Sequence, residues 1–262
     1  MSHYIAIQKS LHQQAGFKAN PSFSFAAEDT VAPILWEEVA HILPYIPIAF
    51  LPKPNKDGFL LTALQGLQPN QNLLIHPSGK WLIGYIPAQY RGYPFALIPE
   101  ENSDRLHLCI DMDSGLLCEQ LDSDCQAFFD DQGEPSDVVK RTMQFLEMCQ
   151  AGRTQTQLAV DALAEHELLV PWNIVLKVSD EQTLPLQGLY KIDEKKLKQL
   201  SAESVHNLNQ RGALSLAYAQ LLSEHQLKNL QKLYRLHNQQ QNLSEEVDLD
   251  KLFGEDDDSL KF

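Results

Sequence analysis

The chain has 262 residues, of which 44% are apolar and 21% are charged, enough for one or two globular domains with a sizeable core. Its net charge of −14 argues against a protein that binds nucleic acid or an anionic membrane, because both classes need a basic face. The charge is uneven: residues 244–262 hold eight acidic residues and two lysines, a net −6, and the rest of the chain carries −8.

The first half of the chain predicts short antiparallel strands. A short helix is expected over residues 34–43, followed by an extended segment at 46–50. Alternating apolar residues then predict strands at Phe59–Leu64, 72–76, 81–86, Phe95–Pro99 and 105–111. The turn at residues 77–80 predicts a hairpin between the second and third of these strands, and a polar loop joins the last two.

The second half predicts helices with two further strands. Ser136 is expected to begin a helix that ends near Ala151, before Gly152, and Thr154 is expected to begin another. The remaining predicted elements are strands at 173–178 and 186–192, a short helix after Asp193, and helices at 204–210, 214–222 and 226–239.

These elements predict an α+β fold. Its sheet is mainly antiparallel and twisted, comes from the N-terminal half, and is covered on one face by the C-terminal helices. A single domain over 1–243, β-rich over 1–135 and helix-rich over 136–243, is favoured over two domains divided at Pro135, because the later strands need a sheet to join. An acidic flexible tail over 244–262 is expected to follow it.

The sequence predicts a cytoplasmic location. It contains no apolar run of 18 residues and no secretory signal pattern, so no membrane span is expected. The four cysteines, Cys109, Cys118, Cys125 and Cys149, are therefore expected to be reduced. They form no CxxC pair, and neither HExxH nor GxGxxG occurs, so the sequence predicts no metal and no cofactor.

A series of motifs runs through the middle of the chain. The longest is GKWLIGYIPAQYRGYPF at 79–95; CIDMDS at 109–114, AFFDDQG at 127–133 and QGLYKIDE at 187–194 follow it. Over about residues 5–240 the series resembles the SapC family of bacterial proteins. The resemblance implies a link to paracrystalline surface layers, and to the halogenase-like flavoproteins and TonB-dependent receptors encoded near family members. It supplies no catalytic residues.

The longest motif combines aromatic residues with one arginine. Five aromatic residues surround Arg91 within fifteen residues: Trp81, Tyr85, Tyr90, Tyr93 and Phe95. Arginine stacks on aromatic rings and pairs bidentately with carboxylates and phosphates, so one interpretation is a pocket for an anion or a peptide carboxylate. The alternative is that the aromatic residues belong to the core and that Arg91 makes an internal ion pair.

Two acidic residues follow the predicted strand at 105–111. Asp111 and Asp113 are spaced to share one strand face, which would let both carboxylates act on a metal or as a base. The further ligands of a Ca²⁺ loop are missing, and a turn after the strand is the alternative explanation.

The acidic tail contains a short apolar motif. Leu249, Leu252 and Phe253 have helical i, i+3, i+4 spacing, and Phe262 ends the chain. Such a segment can bind a groove on a partner protein, and the alternative is an acidic tail that only improves solubility.

The absence of a catalytic pattern favours a non-catalytic accessory protein that recruits a protein or peptide. The family context makes a halogenase-like flavoprotein or a receptor-derived peptide the expected partner, and nucleic acid is not expected. One alternative is an enzyme that modifies a peptide or small molecule, using Asp111, Asp113 and Arg91. Another is a structural or export component associated with a surface layer.

Overall fold

Short antiparallel strands and longer helices make up the chain, which confirms the predicted α+β class. The computed structural model describes residues 3–20, 22–55, 57–100, 105–177 and 183–240, without the side chains of 239 and 240. The tail 244–262 lies outside the described residues, together with its predicted partner motif of Leu249, Leu252, Phe253 and Phe262.

The strands of the described residues are β1 (Tyr4–Ala6), β2 (Gly16–Lys18), β3 (Val31–Pro33), β4 (Ile48–Pro52), β5 (Phe59–Leu64), β6 (Phe95–Pro99), β7 (Leu106–Asp111), β8 (Leu117–Cys118), β9 (Cys125–Ala127), β10 (Leu169–Pro171), β11 (Ile174–Lys177), β12 (Thr183–Leu186) and β13 (Tyr190–Ile192). The helices are α1 (Lys9–His12), α2 (Val39–Ile42), α3 (Ala88–Arg91), α4 (Asp137–Glu165), α5 (Glu194–Lys198), α6 (Ala202–Gln210), α7 (Ala213–Ser223) and α8 (Leu227–Gln240). A 3-10 turn at Trp36–Glu38 precedes α2, and another at Met112–Ser114 follows β7.

The largest sheet has five antiparallel strands in the order β10-β13-β4-β5-β3. β4 and β5 pair as a hairpin, in agreement with the extended segments predicted at 46–50 and Phe59–Leu64. Helices α4 and α7 pack against this sheet. Phe50 from the sheet and Leu163 from α4 are both fully buried in its core, and burial of each contributes about 1.5–3 kcal/mol.

Two smaller antiparallel sheets, β1-β7-β6 and β8-β2-β9, enclose a second apolar cluster. The pairing of β6 with β7 confirms the second predicted strand pair. The Phe17 ring lies 4.7 Å from the Phe95 ring and 5.8 Å from the Phe128 ring, measured between centroids. Val139 of α4 joins this cluster, so α4 contacts both cores. The single predicted sheet is therefore replaced by several small ones.

The two helices predicted on either side of Gly152 are one continuous helix, α4, of 29 residues. A β-carbon at Gly152 would lie 3.2 Å from both Leu35 Cδ1 and Glu37 Oε2, so the glycine lets the turn before α2 pack closely on α4. Thr156 fixes the same contact, because its hydroxyl accepts a hydrogen bond from the Trp36 N–H at 2.8 Å. Tertiary packing thus overrides the glycine as a helix end.

The predicted hairpin of 72–76 with 81–86 is reduced to one antiparallel bridge, between Ile75 and Trp81. The Asn72 side chain links the first of these segments to two other parts of the chain. Its Nδ2 donates to Ala26 O at 3.0 Å and to Gln65 Oε1 at 2.9 Å. The turn itself forms, with Gly79 at a φ of +83°.

The second predicted late strand, 186–192, divides at Gly188, which has a φ of +85°. Its first part lies in β12, which pairs with β11, and its second part is β13, which enters the large sheet. The expectation that 173–178 joins that sheet is wrong for the described residues. The predicted C-terminal helices are confirmed as α5 to α8, and Asp193 caps α5 through its carboxylate.

The cysteines differ from the expectation. Cys118 and Cys125 form a disulfide that joins β8 to β9 across β2, and Cys109 and Cys149 are buried free thiols. Within the described residues, no group of three His, Cys, Asp or Glu side chains could hold a metal ion. No helix in the same part of the chain is long and apolar enough to cross a membrane.

Candidate functional site

A buried carboxylate, that of Glu38, organises the predicted aromatic–arginine segment. Glu38 is only 3% exposed and accepts three hydrogen bonds. Its Oε2 accepts from Leu35 N at 2.8 Å, and its Oε1 accepts from Ala88 N at 2.6 Å and from the Tyr85 hydroxyl at 3.1 Å. A buried charge is tolerated only when it is paired and hydrogen-bonded, and these donors supply that environment.

Arg91, at the end of α3, provides the compensating charge. Its Nη2 donates to the Tyr85 hydroxyl at 3.0 Å and lies 3.9 Å from Glu38 Oε1. The guanidinium carbon lies 5.1 Å from the centre of the Phe145 ring and 5.4 Å from that of Tyr85, within cation–π range. The side chain remains 42% exposed, so Arg91 makes an internal ion pair and also faces solvent.

The Tyr85 phenol stays protonated in this arrangement. Burial and the Glu38 charge raise the pKa of Tyr85, the Arg91 charge opposes both, and the net result is a pKa of about 12. The phenol can therefore donate to Glu38 while it accepts from Arg91 at neutral pH.

Trp81 and Tyr90 are core residues, 8% and 3% exposed. The Trp81 indole donates to Tyr85 O at 2.9 Å, and the Tyr90 hydroxyl donates to Gln65 Oε1 at 2.9 Å. Burial raises the pKa of Tyr90, and the charge of Asp29 raises it further. These two aromatic residues thus support the segment from inside.

Tyr93 lies at the surface end of the segment and is half-buried. Its ring stacks on the Phe25 ring at 3.8 Å between centroids and an interplanar angle of 10°. Burial raises the pKa of Tyr93, and the nearby charge of Asp111 adds to the effect.

A cavity of about 430 Å³, here called the basic groove, lies between β2, the turn after α3 and the first turns of α4. Its lining combines aromatic rings with cationic side chains, namely Phe17, Tyr93, Phe95 and Phe145 with Lys18, Arg91 and Arg141. No acidic side chain of the described residues lines it.

The three cations of the basic groove, counted over the described residues, differ in their pairing. Lys18 forms an exposed ion pair with Asp122 at 3.3 Å, and Arg91 is shared with Glu38. Arg141 is exposed and makes no ion pair with any residue in the described part of the chain. The groove therefore has at least one guanidinium available for a ligand.

The acidic pair builds a turn close to Tyr93 but outside the lining of the basic groove. Asp111 is 4% exposed and accepts from Asp113 N at 3.1 Å, and Asp113 accepts from His3 N at 3.2 Å. Neither carboxylate lines the basic groove, so the structure does not bring them into one cavity with Arg91.

Sequence reasoning missed the distant members of the groove. Arg141 and Phe145 have i, i+4 spacing on one helix, which could have indicated a shared face. No sequence signal links Lys18 to either of them, because only the folded chain brings β2 to the start of α4.

The fold and groove define an α+β protein with a basic, aromatic-lined surface site. Comparison with protein families matches the SapC profile to residues 7–230, and the chain therefore belongs to the SapC family. Comparisons with curated proteins and with solved structures gave no match.

Proposed function

We propose that this protein is a non-catalytic binding module that recruits a partner through an acidic peptide segment held in the basic groove. The observation that carries the proposal is the lining of that groove, which places Arg91, Arg141 and Lys18 among aromatic rings with no acidic side chain of the described residues. Guanidinium groups pair with carboxylates, and the rings supply apolar contact for the rest of a peptide.

The volume of the groove and its position at the surface support a peptide over a small anion. A volume of about 430 Å³ accommodates a few side chains of an extended segment. The partner classes implied by the family resemblance, a halogenase-like flavoprotein and a receptor-derived peptide, are the first candidates. The tail 244–262 is proposed as a second contact.

Fluorescence anisotropy with two labelled peptides tests the groove. One peptide alternates Glu and Asp with Phe and Tyr, and the other has Lys in place of every acid. We expect the acidic peptide alone to bind, with an affinity that falls as salt rises. Arg141→Gln should weaken binding about two- to fivefold, the range for one exposed ion pair.

Lys140→Gln is the matched control, because Lys140 is exposed on the same helix and does not line the groove. It removes the same charge and should leave the affinity within error of the native protein. Equal binding of the two peptides, or equal effects of the two variants, would contradict the proposal.

Co-purification extends the test to whole partners. The full chain, the 1–243 truncation, Arg141→Gln and Lys140→Gln are each used to recover a halogenase-like flavoprotein and a receptor-derived peptide. Loss of recovery with Arg141→Gln assigns the groove, and loss with the truncation assigns the tail. Unchanged recovery with both excludes both contact sites.

The Cys118–Cys125 disulfide favours a second candidate function, that of a surface-layer-associated component. Disulfides persist mainly outside the cytoplasm, because cytoplasmic reductants keep thiols reduced. Alkylation of thiols in intact cells before lysis, followed by mass spectrometry of each cell fraction, tests this role. A reduced pair found only in the cytosolic fraction would remove it.

A further inference from the structure

A second cavity, here called the α4 cleft, lies farther along α4, between that helix and the β3–β5 edge of the large sheet. Its volume is about 340 Å³, within the range of small-molecule sites. Apolar side chains such as Ile34, Leu61 and Val160 form its inner wall. Its lining includes Glu38 and two of the residues that donate to it, Leu35 and Ala88, and shares no residue with the basic groove.

Most polar groups of the α4 cleft are satisfied within the protein. Glu38 accepts three hydrogen bonds and lies beside Arg91, so its charge is compensated. The Thr156 hydroxyl accepts from Trp36 N and donates to Gly152 O at 2.7 Å. These contacts leave little capacity to bind a cationic ligand.

Arg153 is the exception. It lines the cleft, is exposed, and forms neither a hydrogen bond nor an ion pair with any residue that the structure describes. Among the lining residues that the structure describes, the charge without a partner is therefore positive, and it lies at the edge of an apolar wall; the Glu37 carboxylate lies beside Gly152 but does not line the cleft. An apolar body with one anionic head group matches this combination.

We propose that the α4 cleft binds a small monocarboxylic acid, with the apolar chain or ring against Ile34, Leu61 and Val160 and the carboxylate on Arg153. About 30 Å³ for each water-sized group gives a ligand of roughly ten non-hydrogen atoms. The site does not depend on the peptide-binding role of the basic groove.

Cys149 lines the α4 cleft and serves as a reporter of occupancy. Burial raises the pKa of the Cys149 thiol, so it is neutral and adds no charge to the site at pH 7. The other free thiol, Cys109, is buried away from the cleft and provides an internal reference in the same molecule.

Isothermal titration calorimetry with octanoate, octanol and octylammonium tests the charge preference of the full chain. Octanoate should bind at least fivefold more tightly than either of the others, and Arg153→Gln should remove about fivefold of its affinity. Lys140→Gln is the matched control, because Lys140 is an exposed cation on the same helix that lines neither cavity, and it should leave octanoate affinity unchanged.

Two further measurements locate the ligand. Octanoate should slow alkylation of Cys149 by a small thiol reagent and leave Cys109 unaffected. Leu60→Trp places an indole in the cleft from a half-exposed position and should abolish octanoate binding while circular dichroism shows a folded protein. No measurable octanoate binding, equal affinity for all three probes, or full affinity in Arg153→Gln or folded Leu60→Trp would overturn the proposal.

Discussion

Glu38→Gln tests whether the buried carboxylate stabilises the site region. The substitution keeps the size of the side chain and replaces one acceptor oxygen by an NH₂ group. Whichever way the amide lies, it faces Leu35 N or the pair formed by Ala88 N and the Tyr85 hydroxyl, so at least one buried donor loses its acceptor. An unsatisfied buried donor costs about 1–3 kcal/mol. Loss of the charge-assisted bonds adds about 1 kcal/mol.

Urea denaturation followed by circular dichroism should therefore show a free energy of unfolding lower by about 2–4 kcal/mol in Glu38→Gln. Glu37→Gln is the control, since Glu37 lies next to it in the same 3-10 turn and is exposed. Its effect should stay within about 0.5 kcal/mol. Equal unfolding curves for the two variants would refute the argument that Glu38 organises this region.

Three further predictions concern stability. Tyr85 has a pKa of about 12 in the folded protein against an ordinary value of 10.0, so its contribution to stability is complete below pH 10 and should be lost as pH rises to 12; urea midpoints across that range measure the loss, and a flat profile contradicts it. Gly152→Val should destabilise the protein by about 1–3 kcal/mol in urea despite a better helix propensity, whereas stabilisation would contradict the close contact with Leu35. Replacing both Cys118 and Cys125 by alanine should lower the free energy of unfolding, measured by urea midpoint, by about 2–3 kcal/mol for a closed loop of this length. Ellman titration of the unsubstituted protein, unfolded without reductant, should find two thiols.

Local patterns predicted single elements well and their assembly poorly. The strand Phe59–Leu64 was predicted with its observed bounds, because alternation and flanking turn residues determine a strand locally. The local pattern predicts a helix end at Gly152, yet the role of this glycine depends on a contact with Leu35, more than a hundred residues away. The assignment of β11 and β13 to different sheets depends on long-range pairing in the same way.

The candidate site shows the same division between local and distant information. Arg91 and Tyr93 were predicted from one motif and line the basic groove. Trp81 and Tyr90 come from the same motif and lie in the core, since composition cannot tell which ring of an aromatic cluster is buried. Arg141 makes no ion pair with any described residue. The motif does not reveal it, because Arg141 lies fifty residues from Arg91 in the sequence.

The sequence left Arg91 with two alternatives, a ligand site or an internal ion pair, and the geometry shows that these are compatible. A guanidinium has five N–H donors, and the described contacts use Nη2, which bonds Tyr85 and faces Glu38. The group lies over the Phe145 ring at the wall of the basic groove, with 42% of the side chain exposed, so other donors can bind a ligand. Its internal partners fix the position of the guanidinium, and this preorganisation reduces the side-chain entropy that Arg91 would otherwise lose on binding a carboxylate. A net charge of −14 therefore does not conflict with a basic groove: net charge describes the whole surface, and three cations brought together by the fold determine the charge of this site.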